Sequence, residues 1–152
     1  MTRAGDTRVV VAYDGSDPAK EAIESAGRLM APGTKAIVVT VWEPLNAIPF
    51  WGAPLGAVPK TVFEEVISRA KEVAAEGALV ATAAGFEAES KAREGSPIWR
   101  AITREAEERG AELIVIGSHG RTGVSYVLAG SVATAVTQHA KCSVLVGRAG
   151  VS

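Results

Sequence analysis

Short apolar runs alternate with amphipathic stretches along most of the chain, and the period of the pattern changes from one to the next. Arg8 to Tyr13 (RVVVAY) is valine-rich without alternation and stops at Asp14-Gly15, as expected of a strand buried on both faces and ended by a turn. Asp17-Pro18 supplies an N-cap and a first-turn proline for a helix to about Met30, which Pro32-Gly33 closes. Ala36 to Trp42 (AIVVTVW) repeats the buried-strand pattern. Thr61 and Glu64 have capping-box spacing at the head of a helix to about Ala84, with Gly85 at its C-terminal end. From Phe86 to Arg93 the period becomes two. Phe86, Ala88, Ser90 and Ala92 alternate with Glu87, Glu89, Lys91 and Arg93, which suits an edge strand with one solvated, charged face. Ser96-Pro97 is expected to cap a helix that places Ile98, Ile102 and Ala106 on one face and ends at Gly110. Leu113 to Ile116 predicts another buried strand, Ser131 to about Ala140 the last helix, and Val144 to Val146 the last strand.

Strands linked by helices require crossover connections. The expected architecture is therefore α/β: one doubly wound, mainly parallel five-stranded sheet with helices on both faces and right-handed connections. No fixed-period repeat or second unit interrupts the alternation, so residues 1–152 read as one domain. Ligands of such sheets bind beyond the carboxyl ends of the strands, where the winding reverses. Two strand ends carry suitable residues, Tyr13-Asp14-Gly15 after the first strand and Gly117-Ser118-His119-Gly120 after the fourth. If those strands are neighbours, their loops form one crevice.

Composition narrows the function classes. With 47% hydrophobic and 22% charged residues and a formal net charge of -1, the 152-residue chain is an ordinary globular one without the basic footprint of a nucleic-acid binder. Cys142 is the single cysteine, so no internal disulfide can form. No apolar run reaches the roughly 20 residues of a membrane span, and the first residues lack a signal-peptide core. A cytoplasmic protein is expected, with no nucleic acid and no membrane among its partners.

Chemistry is concentrated in GSHGRTGVSYVLAGS, Gly117 to Ser131, where Gly117, Gly120 and Gly130-Ser131 have the spacing G-x2-G-x9-G-S directly after a strand. Closely placed glycines let backbone amides approach an anion, and a helix opening at Ser131 turns its positive end toward the same ligand. Ser131 can serve as helix cap, phosphate donor or both. His119 either donates to a phosphate or is a solvated loop residue, and Arg121 either pairs with phosphate or points into water. His139 complements the dipole at the end of the last helix. Cys142, at the head of a buried strand, reads as an inert thiol.

With these residues in view, the chain resembles the universal stress protein family. VVVAYDGSDPAKEAI is similar to that family's first strand, Asp turn and helix, IVIGSHGRTGVSYVLAGSVATAV to its nucleotide motif, and HAKCSVLVGR to its terminal strand. Ser143 departs from the family, which often has proline after the cysteine. The resemblance implies a Rossmann-like sheet of order 3-2-1-4-5 and the ATP-binding subgroup. By it, Asp14 lies near the adenosine or a phosphate-bound magnesium, and Val41 offers backbone groups to adenine. Gly117 and Gly120 admit ribose and phosphates, and Gly130, Ser131 and Val132 bind phosphate oxygens. Ala12, Tyr13, Ile116, His119 and Ala133 complete the implied ATP site. The resemblance also implies a homodimer through the final strand, Cys142 to Arg148.

Three function classes follow. The favoured one is an ATP-binding, nucleotide-dependent regulator or scaffold of the stress response, with a further protein partner. The others are a slow ATPase or nucleotidyl- or phosphoryl-transfer enzyme, and a module for AMP or a cyclic nucleotide. Fast phosphoryl transfer is not indicated, because the chain has no G-x4-G-K-(S/T) run with its lysine. The proline-rich segment 43–60 is expected to be a flexible loop, serving as a lid, a partner-binding segment or a linker.

Overall fold

The computed structural model describes residues 8–44, 59–119 and 130–148. Its elements run β1 (Arg8–Ala12), α1 (Asp17–Leu29), β2 (Lys35–Trp42), α2 (Lys60–Ala83), β3 (Glu87–Glu94), α3 (Ile98–Arg109), β4 (Leu113–Gly117), α4 (Ser131–His139) and β5 (Ser143–Gly147). The five strands form one parallel sheet in the order β3-β2-β1-β4-β5, the expected topology. Ser143, which stands where the family often has proline, is the first residue of β5.

Two apolar layers follow from the strand alternation. Val9, Val11, Tyr13 and Val38 face Ile23 and Ala26 of α1 and Val73 and Ala81 of α2. Val10, Ile37, Val39, Ile114 and Ile116 face Ile102 and Ala106 of α3 and Ala133 and Val136 of α4. Successive strand residues point to opposite faces, so a valine-rich strand can feed both layers. Small residues let backbones approach: a Cβ on Gly147 would lie 2.7 Å from Ala22 N, so α1 rests almost directly on β5.

Several expected caps are displaced by one residue. The α1 cap is Ser16, whose Oγ accepts from Ala19 N at 3.3 Å, and Asp17 is the first helical residue. α2 begins at Lys60, inside the expected loop 43–60, with Pro59 at the cap and no side-chain capping bond, so Thr61 and Glu64 form no capping box. Pro97 and Gly130 hold the cap positions of α3 and α4, again without a side-chain bond, so neither Ser96 nor Ser131 caps. Capping depends on where one oxygen lies relative to the first free amides, which a one-residue shift removes. At the C-terminal ends, Gly85 and Gly110 have φ of 104° and 63°, as glycines that end helices should.

β3 is an edge strand, as its alternation predicted, but its charged face is more than solvated. Glu105 of α3 is 1% exposed. It accepts from Lys91 Nζ at 3.0 and 3.1 Å, from Arg109 Nε at 2.8 Å and from Arg93 Nη1. Arg93 also binds Glu108, and Arg109 binds Glu89 at 2.9 Å. Burial pushes the Glu105 carboxyl up, but hydrogen bonds from Arg109, Arg93 and Lys91 outweigh that and hold its pKa at about 2.

Candidate functional site

The site begins with strand register. Ala12 of β1 pairs with Ile116 of β4, so the chain after β1 and the chain after β4 leave the sheet side by side. The first of them is tightly held. Tyr13 N donates to Val39 O at 3.0 Å, and Thr40 Oγ1 donates to Tyr13 O at 2.8 Å. Asp14 then turns: its Oδ1 accepts from Ser16 N at 3.0 Å, Gly15 has φ 84°, and Ser16 caps α1. An Asp at this point is favoured because its side chain closes the turn on the backbone two residues later.

The second segment is held equally firmly. Ser118 N donates to Gly147 O at 2.7 Å, and Ser118 O accepts from Gly130 N. That pair of bonds ties the end of β4 both to β5 and to the head of α4. Ser118 is 2% exposed, and its Oγ lies 2.9 Å from His119 Nδ1. Among the described residues, His119 Nε2 is buried without a hydrogen-bond partner. The first-turn amides of α4, on Ser131, Val132 and Ala133, have no acceptor within their own helix, which makes this end attractive to anions.

The expected residues sort into four groups. Ala12, Val41, Ile116, Val132 and Ala133 meet in one apolar cluster on the α3–α4 side. Asp14, Gly117, His119, Gly130 and Ser131 lie at the ends of β1 and β4 and the head of α4. Gly120 and Arg121 lie outside the described residues, as does most of the segment 43–60. Tyr13 goes elsewhere: its ring lies in the α1–α2 core and its hydroxyl donates to Glu76 Oε1 of α2 at 2.7 Å, lowering that carboxyl's pKa.

The glycines also have structural reasons. A Cβ on Gly117 would lie 2.7 Å from Ala19 N and 2.8 Å from the Pro18 carbonyl carbon, so this glycine lets α1 seat against β4. On Gly130 it would meet Ser118 O at 3.2 Å. The Gly130 amide, expected as a phosphate donor, already binds Ser118 O.

The remaining candidates lie away from these strand ends. His139 ends α4 and stacks on Trp99 at 4.2 Å, with 18° between the rings. Burial pushes the Cys142 thiol up, as expected of an inert thiol. Sequence reasoning named Ser118 at a strand end without giving it a role, and missed Ser16 and Glu105. The last was legible, since Glu105 shares the buried stripe of Ala101, Ile102 and Ala106 on α3.

A parallel sheet that reverses its winding between β1 and β4, with the head of α4 tied to the end of β4 at that point, defines a doubly wound α/β protein, the class whose ligands bind at such a switch point. The particular family is clear: this chain belongs to the universal stress protein family, whose model matches residues 7–148. It is 32% identical over 139 residues to universal stress protein MJ0531 of Methanocaldococcus jannaschii, covering 91% of this chain and 80% of that one. A universal stress protein from Archaeoglobus fulgidus in complex with dAMP aligns at TM-score 0.64 and 27% identity, over 93% of this chain and 97% of that one. Another solved with cAMP aligns at TM-score 0.65 and 26% identity, over 95% and 98%.

Proposed function

We propose that this chain binds ATP in the crevice between the ends of β1 and β4 and works as a nucleotide-dependent regulator or scaffold in a stress response. The observation that carries the reading is the pairing of Ala12 with Ile116, which sets the Asp14 turn beside the Gly117–His119 segment at the head of α4. The apolar cluster containing Ala12, Val41, Ile116 and Val132 offers a surface for an adenine ring, and the α4 amides suit phosphate oxygens. Related structures holding dAMP and cAMP support an adenosine-type ligand. Those two complexes also favour the second reading, a module for AMP or a cyclic nucleotide.

Magnesium would arrive with the phosphates. Among the described residues, no three His, Cys, Asp or Glu side chains gather to hold a metal, so Asp14 is the acid nominated beside the phosphate oxygens. One carboxylate plus phosphates is an ordinary magnesium environment. The nucleotide is held and not rapidly consumed, in a cytoplasmic single-domain protein that pairs through β5 as a homodimer and engages a further protein. Among the described residues no helix is long and apolar enough to cross a membrane.

The test begins with the purified protein. Co-purified nucleotide is identified by mass, and titration calorimetry compares ATP, AMP and cyclic AMP with and without magnesium. ATP should be found, should bind most tightly and should persist unchanged over hours. Affinity for none of the three would sink the reading, and rapid release of phosphate would replace it with the enzymatic one.

A further inference from the structure

We infer that Ser118 acts on the bound nucleotide through His119, its hydroxyl donating to Nδ1 and so fixing the neutral Nε2–H tautomer, whose Nε2–H then donates to a phosphate oxygen. The inference rests on the nucleotide-binding reading and deepens it with a positioning residue.

Ser118 cannot drift. Its amide is bonded to Gly147 O on β5, its carbonyl to the Gly130 amide, and the residue is 2% exposed. The position of its Oγ, 2.9 Å from His119 Nδ1, is therefore fixed by backbone on both sides. Which atom donates follows from counting protons. A hydroxyl has one proton and a neutral imidazole one N–H. Among the described residues Ser118 Oγ has no second partner, and His119 Nε2 is buried with none. With the proton on Nδ1, both the hydroxyl hydrogen and the Nε2 lone pair would be buried unpaired. An imidazolium would also orphan the hydroxyl hydrogen. With Ser118 donating, only Nε2–H lacks a partner, so this arrangement leaves the fewest unmet groups.

An unpaired buried donor calls for an acceptor. A Cβ on Gly130 would lie 3.6 Å from His119 Cα, so the histidine adjoins the cap of α4 and the first-turn amides that favour an anion. A phosphate oxygen would satisfy the imidazole N–H and the helix head together. The sequence signal was present in Ser118-His119, but the choice of tautomer needs the buried hydroxyl.

Two measurements test this. The chain has two histidines, so two-bond proton–nitrogen spectra of histidine-labelled protein are simple, and His119→Gln identifies the His119 signals by their loss. The unliganded wild type should show the Nε2–H tautomer at His119, and Ser118→Ala should show a mixture. In calorimetry, Ser118→Ala should weaken ATP about tenfold, as expected for loss of one well-aligned bond to a charged oxygen, while Ser118→Thr keeps most of the affinity. In a His119→Gln background, where the Gln amide supplies an N–H near the Nε2 position, Ser118→Ala should be silent. An Nδ1–H tautomer in the wild type, or an equal loss in both backgrounds, overturns the inference. If the wild type binds no ATP, the nucleotide reading fails, and the spectrum of the unliganded protein still decides the tautomer.

Discussion

Gly117 and Gly130 occupy the same motif for different reasons. A side chain at Gly117 would press into the backbone of α1, with Ala19 N 2.7 Å away, whereas at Gly130 it would only crowd Ser118 O at 3.2 Å. Gly117→Ala should therefore destabilise the protein by about 2 kcal/mol in urea unfolding, more than Gly130→Ala does. Gly130→Ala is the better probe of the proposed nucleotide binding, and equal losses of stability would contradict this account. The spacing reveals that glycine is needed, but the backbone it must clear belongs to a helix near the start of the chain. Glu105 shows the same limit. Its pKa of about 2 is depressed from an ordinary value of 4.5, so its contribution to stability is fully present above pH 4.5 and is lost as pH falls toward 2. That contribution is on the order of 3 kcal/mol. Glu105→Gln should destabilise at neutral pH by roughly 3 kcal/mol, because three cations lose their buried partner. It should also flatten the acid limb of stability against pH, and an unchanged slope would place the acid sensitivity elsewhere.

At the scale of elements, interiors were more legible than ends. Continuous apolar runs marked β1, β2 and β4, and the period of two in β3 announced an edge strand. Caps were read one residue off, or two at α2, because Ser16, Pro59, Pro97 and Gly130 hold those positions by local geometry that composition does not fix. Contact between elements was less legible still. α1 meets β5 at Gly147, where a methyl group would sit 2.7 Å from Ala22 N, so Gly147→Ala must push the helix off the strand. We expect a loss of about 2 kcal/mol or more, the cost of overpacking. Amide exchange should rise in both β5 and α1, and a rise confined to β5 would show that the helix does not share the strain.

At the scale of the molecule, sheet order brings the ends of β1 and β4 together and leaves β5 as an edge. Val144 and Val146 of that edge are half-buried beside the α3–α4 core. In the proposed homodimer, two copies of β5 would pair, so Val144→Lys should give a monomer in light scattering with an unchanged circular dichroism spectrum. A persisting dimer would move the interface to another surface. The sequence by itself determined the alternation of strands and helices, the edge character of β3 and the glycine-bounded segment, because hydrophobic period and turn chemistry are local. Only the tertiary structure decided that Tyr13 faces α2, that Gly117 yields to α1, and that Ser118 anchors His119. Those outcomes depend on which distant backbones the sheet brings into contact.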